Sequence, residues 1–105
     1  MDEVTDATFA DEVLASPIPV MVDFWAPWCK PCEAIGPHLR AIAEEHEGRL
    51  RLVRVNVDEN LGVSGRYGVL SLPTVILFAE GDARVTIFGA HSRSHYEQAL
   101  APHLG

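Results

Sequence analysis

The chain has 105 residues, 48 % of them apolar and 22 % charged, and 8 Lys and Arg stand against 15 Asp and Glu for a formal charge of −7. This is ordinary globular composition and excludes a disordered or collagen-like chain, while the acidic balance argues against nucleic acid, which attracts Lys/Arg stripes. No apolar stretch approaches the ~18 residues of a membrane span, and no basic segment precedes an apolar one as in a secretory signal. A single domain over 1–105 is expected, as a cytoplasmic, membrane-free and monomeric product.

Thr8-Phe9-Ala10-Asp11 has the spacing of a capping box and predicts a short helix to about Ala15, closed by Pro17 and Pro19. Val20 to Trp25 is apolar on both faces except at Asp23, as in a central strand covered on both sides. After Pro27 and two cysteines, Ile35, Leu39, Ile42 and Ala43 follow helical spacing to His46, with Pro37 inside and Gly48 beyond the end. Leu50 to Val57 alternates and is β-branched, so it predicts a strand. Asn60 to Gly68 holds one or two helical turns. Thr74 to Ala79 and Arg84 to Phe88 read as strands joined by a tight link at Glu80-Gly81-Asp82, an antiparallel hairpin. Ser94-His95-Tyr96-Glu97 is a second capping box and predicts the last helix, which Pro102 stops or bends. Strands alternating with helices and ending in a hairpin indicate an α/β domain with a mixed sheet.

The only cysteines are Cys29 and Cys32. As a staple this pair is poor, since closing so short a loop gives about 2 kcal/mol against ~4.7 for a 100-residue loop. Redox chemistry and metal binding remain. Cys29-Lys30-Pro31-Cys32 lies where a buried strand gives way to a helix. A helix N-terminus presents unpaired N–H groups and partial positive charge, which favour an anion. With the Lys30 cation beside it, the Cys29 thiol is expected to ionise more readily, and the thiolate is the nucleophile. Pro31, early in the helix, loses no hydrogen bond and stiffens the turn. Zinc is the rival reading, because His91 and His95 add an H-x3-H. The stretch between Cys32 and His91, however, far exceeds the ~12 residues of a zinc finger. Asp23 lies between Val22 and Phe24, and burying its ionised carboxylate is costly, so its pKa should rise strongly.

The run from Val22 to Cys32, VDFWAPWCKPC, resembles the active-site segment of the thioredoxin family. The likeness extends over nearly the whole chain, through Pro37, Val55-Asn56-Val57-Asp58, Tyr67-Gly68-Val69, Leu72-Pro73-Thr74, Gly81 and Gly89. It implies a thioredoxin fold: a mixed central sheet of four to five strands with helices on both faces. It implies a thiol–disulfide oxidoreductase that reduces protein disulfides, with Cys29 as attacking thiolate and Cys32 as resolving thiol. Asp23 matches the family's buried carboxylate, which exchanges a proton with Cys32 through water. Pro73 matches its cis proline, and Leu72 would offer its backbone to an extended substrate strand. Trp28, Gly89 and Ala90 would complete the contact surface, with Trp25 packed beneath.

No bound cofactor is implied. Electrons would come from NADPH through a flavin-containing thioredoxin reductase, and the other partners would be disulfide-containing target proteins.

This chain departs from the family pattern at Lys30 and Ser71, where Gly is usual, and at Leu72, where Ile is usual. Arg54 replaces a Lys that approaches the buried carboxylate. Being charged at any relevant pH, it could hold Asp23 ionised more firmly. The family's first strand falls on Met1 to Val4, where Asp2 and Glu3 are poor strand formers. A cation at Lys30 stabilises the thiolate and makes the disulfide somewhat more oxidising. An oxidase or isomerase on the same fold is therefore the second reading, and a zinc-binding or adaptor module the third.

Overall fold

The computed structural model describes residues 1–104. Its elements are β1 (Asp2–Glu3), a π-helical turn (Ala10–Leu14), β2 (Val20–Trp25), α1 (Lys30–Glu45), β3 (Arg51–Asn56), α2 (Leu61–Arg66), β4 (Thr74–Ala79), β5 (Asp82–Phe88), α3 (Arg93–Leu100) and a 3-10 turn (Ala101–His103). The five strands form one sheet in the order β1-β3-β2-β4-β5. β1 and β2 run parallel to β3, while β4 is antiparallel to both β2 and β5. The expected mixed sheet with helices on both faces is thus present.

The central strands explain the two-sided core. On β2, Val20, Val22 and Phe24 point to one face, where they meet Ile76 and Phe78 of β4, Phe9, Val13 and α2's Val63. Met21 points to the other, with Val75, Leu77, α1 residues Ile35, Leu39 and Ile42, and α3 residues Tyr96 and Leu100. The period-2 alternation of a strand therefore puts Asp23 on the α1 side of the sheet.

Even the weak first strand forms. Asp2 and Glu3 pair with Val53 and Arg54, and Val4 N–H donates to the Arg54 carbonyl at 2.8 Å. Their carboxylates meet cations of β3: Asp2 with Arg51 at 3.2 Å and Glu3 with Arg54 at 2.9 Å. Cross-strand charge pairs offset a poor strand propensity here.

Both predicted capping boxes are displaced. At the first helical segment, Thr5 and Thr8 cap each other. Thr5 N–H donates to Thr8 Oγ1 at 2.9 Å and Thr8 N–H to Thr5 Oγ1 at 3.3 Å. The box thus begins three residues earlier than Thr8-Asp11 suggested, and the segment winds as a π-helix over Ala10–Leu14. α3 is capped by Ser92, whose Oγ accepts from His95 N–H at 3.2 Å. Ser94 lies inside that helix, and Glu97 approaches Arg93 at 3.6 Å, one turn back. At the hairpin, Glu80 and Gly81 both have positive φ, 55° and 82°, so β5 starts at Asp82, two residues before the predicted Arg84. Two left-handed residues give the twist that matches flanking antiparallel strands.

Candidate functional site

β2 ends at Trp25, and Ala26-Pro27-Trp28 carries the chain to Cys29, the N-cap of α1. Cys29 is extended, with φ −93° and ψ 99°, and its Sγ accepts a hydrogen bond from Cys32 N–H at 3.3 Å. A sulfur therefore occupies the place of the capping oxygen, at the positive end of a 16-residue helix. Lys30 and Pro31 are the first two helical residues, so Pro31's missing N–H costs no bond. Cys29 and Cys32 are joined as a disulfide, with Cα atoms 5.4 Å apart. Their exposures, 4 % and 5 %, are nearly equal. What separates them is the surface each faces. Cys32, not Cys29, lines a cavity of about 450 Å³ behind the pair.

Asp23 forms the inner wall of that cavity. It is 3 % exposed and its Oδ1 is buried without a hydrogen-bond partner. Burial raises its pKa to about 7, against the opposing pull of Arg54 and, more weakly, of Arg40; Glu3 raises it further. The expected rise is present. Arg54 does favour the ionised form, yet desolvation outweighs it. Arg54 stands opposite Asp23 in the β2–β3 register, but its Nε donates to Glu3 Oε2 at 2.9 Å. Its guanidinium also lies over the Trp25 ring, 4.0 Å from the centroid. The Glu3 charge paired with Arg54 offsets part of that pull, though Arg54 remains the stronger of the two cations acting on Asp23.

On the other side of the pair, Leu72 packs against the cluster of Ala26, Cys29 and Cys32. The Leu72–Pro73 peptide is cis. The Pro73 carbonyl accepts from Gly89 N–H at 2.9 Å, and the Gly89 carbonyl accepts from Tyr96 Oη–H at 3.0 Å. These bonds tie the loop before β4 to the turn after β5 and to α3. Gly89 has φ 87°, a left-handed conformation that suits glycine, and Ala90 beside it is exposed. Trp28 is 68 % exposed although its Nε1–H donates to Asp58 Oδ2 at 2.9 Å, which fixes the ring's orientation on the surface. Lys30 is exposed.

The imidazoles weighed as zinc ligands stack on each other, His91 on His95 with centroids 3.9 Å apart. His91 Nε2 lies 2.7 Å from the Phe88 carbonyl oxygen. No group of three or more His, Cys, Asp or Glu is gathered in a metal-binding arrangement among the described residues. Sequence reasoning did not single out Gly36 and Arg40 of α1, which line the cavity with Cys32 and Asp23. A signal for them exists: positions 32, 36 and 40 are successive i,i+4 places and form one stripe of the helix. Asp58, the partner of Trp28, was noted only as part of a motif.

The family profile described as Thioredoxin matches residues 1–102. Thioredoxin 1 of a Nostoc strain is 45 % identical over 102 residues, covering 97 % of this chain and 95 % of that one. Thioredoxin 1 of Synechococcus elongatus is 46 % identical over 101 residues, covering 96 % and 94 %. The M-type chloroplastic thioredoxin of Spinacia oleracea is 38 % identical over 104 residues, 99 % of this chain and 58 % of that one. With a cysteine pair at bonding distance on the matching fold, the chain belongs to the thioredoxin family and is a thiol–disulfide oxidoreductase that reduces disulfides through Cys29 and Cys32.

Proposed function

We propose that Cys29 attacks the target disulfide, Cys32 resolves the mixed disulfide, and Asp23 receives the Cys32 proton. The observation carrying this order is the bond from Cys32 N–H to Cys29 Sγ at the start of α1. In the dithiol, that donor and the helix end favour negative charge on Cys29. The Cys29 thiolate attacks one sulfur of the target disulfide, forming a Cys29–target bond and expelling a target thiolate. Cys32 then gives its proton toward Asp23, and the resulting thiolate attacks Cys29 Sγ. The Cys29–Cys32 bond forms as the Cys29–target bond breaks and the second target sulfur leaves as thiolate. Two electrons pass to the target, and no bound cofactor takes part.

Leu72, Pro73, Gly89, Ala90 and Trp28 are proposed to hold an extended target segment around the pair, with Lys30, Pro31 and Arg54 tuning the sulfurs and the carboxylate. The chain would act as one monomeric domain contributing to cell redox homeostasis in the cytoplasm. Its electrons would come from NADPH through a flavin-containing thioredoxin reductase. The spinach relative's chloroplast designation names the competing compartment, and cell fractionation decides between the two.

Insulin turbidity with dithiothreitol tests the chemistry. Wild type should accelerate precipitation, and Cys29→Ser should lose the effect. Cys32→Ser should accumulate a covalent adduct between Cys29 and the target. A Cys29→Ser variant as active as wild type overturns the assignment. Equilibration against glutathione tests direction, and a potential well above the cytosolic poise would favour the oxidase reading.

A further inference from the structure

The cavity behind the disulfide has a wall that the mechanism above does not use. Arg40 lies two turns along α1 from Cys32, with Gly36 between them. A Cβ built on Gly36 would lie 3.3 Å from Arg40 Nη1. The guanidinium therefore folds back along α1 over the bare backbone of Gly36, and Arg40 lines the same cavity as Cys32 and Asp23. Side chains on a helix lean toward its N-terminus, so position 40 covers the turn nearer Cys32.

We propose that Arg40, laid over Gly36 in the Asp23–Cys32 cavity, is a positioning residue that keeps Asp23 able to take the Cys32 proton during resolution of the mixed disulfide. This rests on the reading of Asp23 as the acceptor of that proton. The charged surroundings of Asp23 show why a second cation matters. From β3 comes Arg54, and from β1 comes Glu3, which holds Arg54 in an ion pair at 2.9 Å. From α1 come Arg40 and Glu33, with Met1 on the rim. From α3 the Tyr96 phenol is close enough for the Asp23 charge to bear on it. Arg54 is committed to Glu3 and stacked on Trp25, whereas Arg40 has neither partner. Arg40 makes no bond to Asp23 Oδ1, which has none, so its action is through space. By favouring the carboxylate over the acid, it keeps more of the proton acceptor in its working form near neutral pH.

The test uses the full chain and three variants: Arg40→Gln, Arg40→Lys and Asp23→Asn. Carboxyl 13C NMR of the oxidised protein reads the Asp23 titration directly. Stopped-flow Trp fluorescence reads single-turnover reduction of a model disulfide between pH 5.5 and 8. Arg40→Gln should move the Asp23 midpoint upward by about half a pH unit, which is about a threefold slower resolution at pH 6. Arg40→Lys should restore both, which a merely packing role would not do. An Asp23 midpoint in Arg40→Gln equal to wild type overturns the inference. If instead Asp23→Asn keeps the wild-type rate profile, the reading of Asp23 as acceptor falls. The NMR arm still reports whether Arg40 acts on the carboxylate.

Discussion

Two helix starts in this molecule have an acidic side chain from elsewhere in the fold near them, and they are built to opposite standards. At α2, Asp6 reaches across from the first loop. Its Oδ1 accepts from Val63 N–H at 2.8 Å and its Oδ2 from Gly62 N–H at 3.1 Å. Asp6 N–H in turn donates to the side-chain oxygen of Asn60 at 2.9 Å. A Cβ on Gly62 would lie 3.0 Å from Asp6 Oδ2, so glycine there admits the carboxylate. At α1 the N-cap is a sulfur, and the nearby carboxylate, Asp23, lies behind the helix start with Oδ1 unpaired. Every acceptor at the α2 start has a donor, and the assembly can do nothing but hold. At the α1 start Asp23 Oδ1 is left without a partner, which costs stability and, on the proposed reading, leaves a proton site beside the nucleophile free to change state.

The largest break in this comparison should come from Asp23→Asn. The folded pKa of Asp23, about 7, lies above the 3.8 of an ordinary aspartate, so the native state holds the proton more tightly than the unfolded chain does. The contribution of Asp23 to stability is therefore most favourable at acid pH and falls as pH rises through that window, reaching its full penalty above about 7. The shift corresponds to about 4 kcal/mol, of which a buried amide with unmet hydrogen bonds returns about 1–3. Denaturant midpoints should show Asp23→Asn to be more stable than wild type at pH 8 and no more stable at pH 4. A variant that is less stable at pH 8 would mean that Asp23 is not a buried liability. Asp6→Ala should go the other way. Losing two bonds at the α2 start should cost about 1–2 kcal/mol, with disulfide-reductase activity kept. Urea unfolding checks it, and an unchanged midpoint would remove the contrast between the two acids.

The unequal legibility of these regions has a physical cause. β4 could be bounded at Thr74 and Ala79 because an unbroken apolar run lies between Pro73 and a left-handed turn at Glu80–Gly81. The burial of Asp23 was legible from its apolar neighbours, and the placing of Cys29 at a helix start from Pro31 two residues on. What stayed hidden depends on distance along the chain or on which face meets which. Asp6 is 56 residues from Gly62, and no local pattern couples them. Thr5 and Ser92 were passed over because Thr8 and Ser94 offer the same hydroxyl with an acid three residues later. The two choices differ only in where the chain leaves the preceding strand. The Cys32–Gly36–Arg40 stripe was visible as spacing. That it faces Asp23 follows only once α1 is laid on the sheet face that Met21 shares.

The smallest effect sharpens the comparison most, because it separates the helix end from the side chain beside it. Lys30 is the first residue of α1 and is exposed, so its field reaches Cys29 through water and is screened. The Cys32 N–H bond and the helix end are fixed by the backbone and stay in any variant that keeps α1. In the dithiol form, Lys30→Gly should therefore raise the pH at which the Cys29 thiolate appears by only about 0.3 unit. Ultraviolet titration of the thiolate at low and high salt measures this. A rise that vanishes at high salt is the expected signature of an exposed charge. A rise beyond one unit would assign the main stabilisation to Lys30, and the α1 start would then resemble the α2 start in depending on one charged side chain. An unchanged or lowered value would remove Lys30 from the tuning of Cys29 and leave the backbone N–H and the helix end as its source.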